Sequence, residues 1–157
     1  MVKLNIGDQA PEFTLKDYHG HNISLSSLKG KYTVLYFYPK DDTPGCTIEA
    51  KSFRDSYKEF VDMGVNVIGI SVDSVTSHKN FCEKYALPFP ILSDEGREVV
   101  NLYGVWGSKS LYGKVFEGTN RTTFIIDPEG KISKIWKKVN VKVHTQEVFD
   151  YLHSVIK

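Results

Sequence analysis

The chain has 157 residues, 41% of them hydrophobic and 25% charged, an ordinary composition for one globular domain, 1–157, with a real core. Lysine and arginine number 20 against 19 acids, so the net charge of +1 gives no reason to expect nucleic acid or a membrane surface as partner. No apolar run approaches membrane-spanning length and the first residues carry no secretory pattern. Two cysteines are too few for a disulfide scaffold or a four-cysteine zinc site, and a soluble, cytoplasmic protein is expected.

Phe13-Thr-Leu15 and Ile23-Ser-Leu25 each alternate apolar and polar around a polar, glycine-containing stretch, which predicts a hairpin. Leu28-Lys-Gly30 predicts a turn. Residues 32–38 are β-branched and aromatic almost throughout, as in a central strand buried on both faces. A helix from Pro44 to about Phe60 follows, with Ala50, Phe53, Tyr57 and Phe60 at helical spacing toward the core and Met63-Gly64 closing it.

Val65 to Val72 reads as a second buried strand. The order strand, helix, strand predicts a parallel unit. A helix over about 74–85 carries Cys82, and Leu87-Pro-Phe-Pro90 ends it because proline and the residue before it disfavour helix. Ile91–Ser93 is a short strand and 95–103 a short helix. Residues 104–120 hold four glycines and little periodicity, so they are expected to form a long loop. Thr122–Ile126 and 131–137 read as paired strands joined by Asp127-Pro-Glu-Gly130, a type I turn pattern. His144–Ile156 predicts an amphipathic helix with Val148, Leu152, Val155 and Ile156 on one side. The expected fold is α/β, with a mixed central sheet and helices on both faces.

The stretch with chemical content is Pro39-Lys-Asp-Asp-Thr-Pro-Gly-Cys46, between the first buried strand and the first long helix. Thr43 is expected to be the N-cap, its hydroxyl toward the free amides of the first turn, with Pro44 at the first helical position. Cys46 then lies among backbone N–H groups without intrahelical partners, at the positive end of the helix dipole. Such a place favours the thiolate, the reactive form of cysteine, and can hold an oxygen-rich ligand.

This arrangement resembles the thioredoxin-like fold. The pattern Pro39-x-x-x-Thr43-x-x-Cys46 is similar to the active-site signature of the peroxiredoxins. The fuller run Phe-Tyr-Pro-Lys-Asp-Asp-Thr-Pro-Gly-Cys-Thr47 resembles their bacterioferritin comigratory protein (PrxQ-type) branch. So do Ser77-His78, Phe89-Pro-Ile-Leu-Ser-Asp94, Tyr103-Gly-Val-Trp106 and Arg121-Thr-Thr-Phe-Ile-Ile-Asp127.

The resemblance implies a thiol peroxidase for hydrogen peroxide and organic hydroperoxides, with no metal or other cofactor and with thioredoxin as the usual reductant. It implies Cys46 as the nucleophile and Thr43 holding a hydroxyl beside its sulfur. Arg121 would be a fixed cation that favours the thiolate and orients the peroxide. Pro39 and the Gly45 amide would shape the peroxide site, and Glu49 would support the arginine; an acid complementing the helix dipole is the plain alternative for Glu49.

There is one departure. The resolving cysteine that many members carry on the first helix is replaced by Lys51. Cys82 on the next helix is the candidate instead, against the plain reading of a core cysteine. That role would require the first turn at Cys46 to unwind, since a disulfide needs Cα atoms within about 7 Å. His78 is read as a surface or capping residue, with a metal pair as the alternative. Trp106, Tyr112 and Phe89 are read either as lining the peroxide entrance or as aromatic core.

Three functions remain open from the sequence. The first is a monomeric or weakly associated peroxidase cycling through a Cys46–Cys82 disulfide. The second is a one-cysteine peroxidase recycled by glutathione or glutaredoxin. The third is a peroxide-sensing or chaperone-like binding protein.

Overall fold

The computed structural model describes residues 3–156. A central sheet is built around β3 (Thr33–Phe37), in which all five residues are buried. β4 (Asn66–Ser71) lies parallel to it, with Tyr36 opposite Gly69, and β5 (Ile91–Ser93) lies parallel to β4. On the other side of β3, β8 (Thr122–Ile126) runs antiparallel and β9 (Ile132–Trp136) antiparallel to it. The expected N-terminal hairpin, β1 (Thr14–Lys16) and β2 (Asn22–Ser24), extends the far edge through β5. The strand order is β2-β1-β5-β4-β3-β8-β9. Parallel strands in the middle explain why 33–37 and 66–71 carry no polar alternation: both faces are covered.

One face is covered by α1 (Pro44–Asp55), α2 (Tyr57–Asp62), α3 (Val75–Tyr85) and α5 (His144–Val155). Their Ala50, Phe53, Phe60, Phe81, Val148 and Leu152 pack with Val34, Tyr36, Val67 and Ile125, and both cysteines belong to this cluster. The other face is covered by α4 (Glu98–Leu102) and the N-terminal segment, with Phe13, Leu25, Val99 and Tyr103 against Leu35, Phe37, Ile68, Ile70 and Phe124. Gly69 is required here. A Cβ on it would stand 2.7 Å from Ile91 Cδ1 and 2.9 Å from Tyr36 Cζ, and a real Cβ does not come so close.

Three expectations are corrected. The helix after Pro44 is not continuous to Phe60. Ser56 leaves helical angles (φ −103°, ψ 6°), and its carbonyl accepts from the Glu59 and Phe60 amides to start α2. Beyond that break Phe60 packs edge-on against Phe149 of α5.

The 104–120 stretch is not a loop. It is a hairpin of β6 (Trp106–Leu111) and β7 (Lys114–Thr119) in continuous register. Tyr112 and Gly113 both have positive φ (52° and 76°), the requirement of a two-residue type I′ turn. Most of its side chains are solvated, so no alternation marks it in the sequence.

The 95–103 helix is shorter than expected. Asp94 caps it from its N-terminal side, accepting from the Val99 and Val100 amides at 3.2 and 2.7 Å.

Candidate active site

Pro39, half-buried, ends the run that continues β3, and the chain turns through Asp42, whose φ is 56°. Pro44 starts α1 as expected, with Thr43 at the N-cap position in an extended conformation. The Thr43 side chain departs from expectation. Its hydroxyl makes no cap bond and donates instead to the Lys40 carbonyl at 2.8 Å, bracing the turn from within. The free amides of the first turn are therefore not taken by Thr43 and remain available at Gly45 and Cys46.

Cys46 is buried, and its sulfur has one polar neighbour of note: Arg121 Nη2 donates to Sγ at 3.2 Å. Arg121 lies just before β8, where alternation turns it to the helical face of the sheet. Its other amine, Nη1, donates to Glu49 Oε1 at 2.6 Å. One guanidinium thus joins the thiol to a carboxylate one turn further along α1. The flat fork of arginine suits this; a lysine ammonium cannot hold the same two directions at once. Gly45 makes room for it, since a Cβ there would stand 3.1 Å from Arg121 Nη2.

Glu49 is not a solvated acid complementing the dipole. Its side chain is fully buried, and burial pushes its carboxyl up to about 7 against the pull of Arg121. Its second oxygen has no hydrogen-bond partner among the described residues. Burial works against the charge of Arg121, but Glu49 and Cys46 beside it more than offset that and raise its pKa. The site is a line from carboxyl to guanidinium to sulfur, with Arg121 in the middle.

Cys82 lies on the same face of the sheet, buried on α3 and unbonded. Its thiol is pushed up to about 12, first by burial and then by the fields of Asp41, Asp17 and Glu83.

His78 is neither a surface nor a capping residue, because Ser74 caps α3 and His78 is wholly buried against Asp41. Phe89 belongs to the core, packed on Tyr36, Phe53 and Tyr57, and not to an entrance. Tyr112 is 95% exposed at the hairpin tip, and the Trp106 indole N–H donates to Glu117.

Two neighbours of the site were not foreseen. Tyr36 stacks on Phe53, and its buried hydroxyl has no partner among the described residues. Burial above all, then the neighbouring Glu49 and Cys46, holds its pKa far above the ordinary value. Lys109 of β6 leans back so that its ammonium donates to Thr119 O at 2.9 Å, two residues before Arg121. Burial and then the Arg121 charge lower its pKa. In sequence, Tyr36 is indistinguishable from any core aromatic, and Lys109 lay in the supposed loop.

The fold and the site together define a thioredoxin-like protein that presents one thiol at a helix start beneath an arginine. Residues 6–135 match the model of the AhpC/TSA family. Over 147 residues the chain is 51% identical to a putative peroxiredoxin bcp of Coxiella burnetii, covering 94% of this chain and 97% of that one. Over 154 residues it is 47% identical to peroxiredoxin Bcp of Bacillus subtilis, covering 98% of each. Among solved structures it is similar to Xanthomonas campestris peroxiredoxin Q, with a TM-score of 0.87 at 39% identity over 92% of each chain. The chain belongs to the AhpC/TSA family, in the Bcp/PrxQ branch of its peroxiredoxins, and is a peroxidase, an oxidoreductase acting on peroxides. No helix among the described residues is long and apolar enough to cross a membrane.

Proposed function

We propose that Cys46 is the peroxidatic thiol of a two-cysteine cycle in which Cys82 resolves and thioredoxin recycles. The observation that carries it is the Arg121 guanidinium bridging Cys46 Sγ and buried Glu49. A cation fixed 3.2 Å from sulfur stabilises the thiolate, and the same donor can hold the distal oxygen of a peroxide.

The Cys46 thiolate attacks one peroxide oxygen, the O–O bond breaks, and the leaving alkoxide or hydroxide takes a proton to become alcohol or water. Cys46 is left as the sulfenic acid. The Gly45 and Cys46 amides and Arg121 receive the developing negative charge. The Thr43 hydroxyl oxygen, donating to Lys40 O, keeps lone pairs that can accept a hydrogen bond from the peroxide O–H, with Pro39 shaping the approach. The Cys82 sulfur then attacks the sulfenic sulfur, a disulfide forms and water leaves. A dithiol protein reduces the disulfide by exchange.

Alkyl hydroperoxides are included as substrates. A Xanthomonas campestris bacterioferritin comigratory protein, 37% identical to this chain, is described by its alkyl peroxide reduction activity. Cys82 as partner is supported by two structures of cysteine mutants of Xanthomonas campestris peroxiredoxin Q. Their mutated cysteines stand as far apart in sequence as Cys46 and Cys82 do. We place the whole cycle in one monomeric or weakly associated domain in the cytoplasm, where dithiol proteins are kept reduced.

Peroxide consumption coupled to thioredoxin tests this. Sustained turnover by the wild type and none by Cys46→Ser is expected. A single turnover without steady state, despite reduced thioredoxin, would indicate a sensor, and steady state with glutathione alone a one-cysteine enzyme.

A further inference from the structure

The turn that leads into Cys46 carries two consecutive aspartates, and they grip α3 on opposite sides of Cys82. Asp41 takes the N-terminal side. Its Oδ2 accepts from the Ser77 hydroxyl and from His78 Nδ1, each at 2.7 Å, and its Oδ1 accepts from the Tyr38 hydroxyl at 2.5 Å. Its own amide donates to Asp73 Oδ2 at 2.8 Å, and Ser71 donates to that same oxygen. His78 Nε2 faces the Leu92 carbonyl at 3.1 Å.

Both ring nitrogens of His78 thus face accepting oxygens. Asp41 and His78 are thereby joined in a contact that is buried on both sides. Asp41, Asp73 and His78 stand close enough to share a cation, but the atoms that would bind it are taken up by these hydrogen bonds.

Asp42 takes the C-terminal side. Held at positive φ, it accepts from Lys84 Nζ at 2.8 Å and from the Tyr85 hydroxyl at 2.6 Å, at the surface. Arg54 of α1 donates to the Tyr85 carbonyl at 2.9 Å and closes the same end. Between the two grips Cys82 is covered and is held as the neutral thiol by burial and by Asp41. None of these groups has a part in the chemistry at Cys46. A buried hydrogen-bonded network costs much to break on one side, because the partners left behind are unsatisfied, so it suits a contact that must be either fully made or released.

We propose that Asp41 and Asp42 form a two-armed clasp that keeps α3 shut over Cys82, and that displacement of segment 39–45 after oxidation of Cys46 opens it. This rests on the reading of Cys82 as the resolving thiol. Because the aspartates precede the Cys46 turn directly, unwinding that turn moves both arms together. The clasp then sets how long the sulfenic acid waits. A second peroxide that arrives during the wait oxidises it to the sulfinic acid, so a looser clasp gives more disulfide and less sulfinic product. Asp41, Asp42 and His78 are positioning residues in this scheme.

The test uses Cys46→Ser protein, in which Cys82 is the sole thiol, alkylated by iodoacetamide under native reducing conditions. Adding Ser77→Ala or Asp42→Asn, which leave the Asp41 charge beside Cys82 in place, should speed alkylation several-fold and decide the clasp; Asp41→Asn should speed it about tenfold or more, partly because the charge that keeps the thiol neutral is removed as well. Ile132→Ala, on the opposite face of the sheet, is the control for general destabilisation and should leave the rate at the parent value.

If Asp41→Asn does not fold, the two milder variants decide. Folded Ser77→Ala and Asp42→Asn proteins alkylating at the parent rate overturn the clasp. So does equal acceleration by the Ile132 control. With Cys46 restored, the same variants should show a smaller sulfinic fraction by mass under excess peroxide. If the wild type itself forms no Cys46–Cys82 disulfide, it is the resolving assignment that falls, and the alkylation rates still decide the clasp.

Discussion

Replacing Glu49 with glutamine separates what its charge does for the site from what it costs the fold. The carboxyl is buried and held at about 7, against 4.5 for the ordinary group. From pH 4.5 to 7 the unfolded chain gives up this proton first and the folded chain keeps it. The contribution of Glu49 to stability is therefore full below pH 4.5 and is lost as the pH rises through about 7. The loss amounts to about 3 kcal/mol above that range.

Glutamine keeps an oxygen for Arg121 Nη1 but does not titrate. Its extra amide hydrogens lie where the second carboxylate oxygen has no partner, a cost independent of pH. Urea unfolding at pH 5 and pH 8 should then show the wild type losing about 2–3 kcal/mol more than Glu49→Gln between the two, since part of the loss has already occurred by pH 5. In the same variant, the reaction of Cys46 with peroxide, followed by stopped flow at pH 8, should slow about tenfold because Arg121 loses its ionic anchor. An equal pH dependence of stability in both proteins would refute the burial argument. An unchanged peroxide rate would refute the role of the anchor.

Arg121→Lys should fold normally and lower the peroxide rate about a hundredfold, because one ammonium cannot serve both Cys46 and Glu49; full activity would remove Arg121 from the mechanism. Thr43→Ser should retain turnover, whereas Thr43→Asn should lose it with the melting temperature within a few degrees of wild type. The Thr43 hydroxyl does not cap the helix, so a large loss of stability in either variant would contradict that geometry. Gly69→Ala should destabilise the fold by about 1–3 kcal/mol in urea titrations through contact with Tyr36 and Ile91.

Most of the sheet could be read from the sequence because its central strands are buried on both faces. Thr33–Phe37 and Asn66–Ser71 have no polar break, and the glycine and proline punctuation around them is dense. The 106–119 hairpin could not be read, since solvated strands show no alternation and a Tyr-Gly turn is a weak signal. Cys46 stood out through local chemistry alone, as a thiol at a capped helix start. Arg121 entered only through family resemblance, because a cation that comes from a distant strand leaves no local trace. The structure places it against both Cys46 and Glu49. The role of the Thr43 hydroxyl is not legible in the sequence because the same residue type serves a cap or a turn, and here the Lys40 carbonyl takes it. The burial of His78 is not legible either, because nothing in Ser77-His78 reveals that Asp41, far back in the chain, supplies the partner that lets a histidine be buried.

The most direct measurement is the intact mass, without reductant, of the wild type and of Cys82→Ser after one equivalent of peroxide. A wild-type monomer lighter by two hydrogens, with Cys82→Ser instead gaining oxygen, is the predicted result and establishes attack at Cys46 with resolution by Cys82. Gain of oxygen by both proteins, with no loss of hydrogen in either, would contradict the two-cysteine cycle and leave Cys82 a residue of the core.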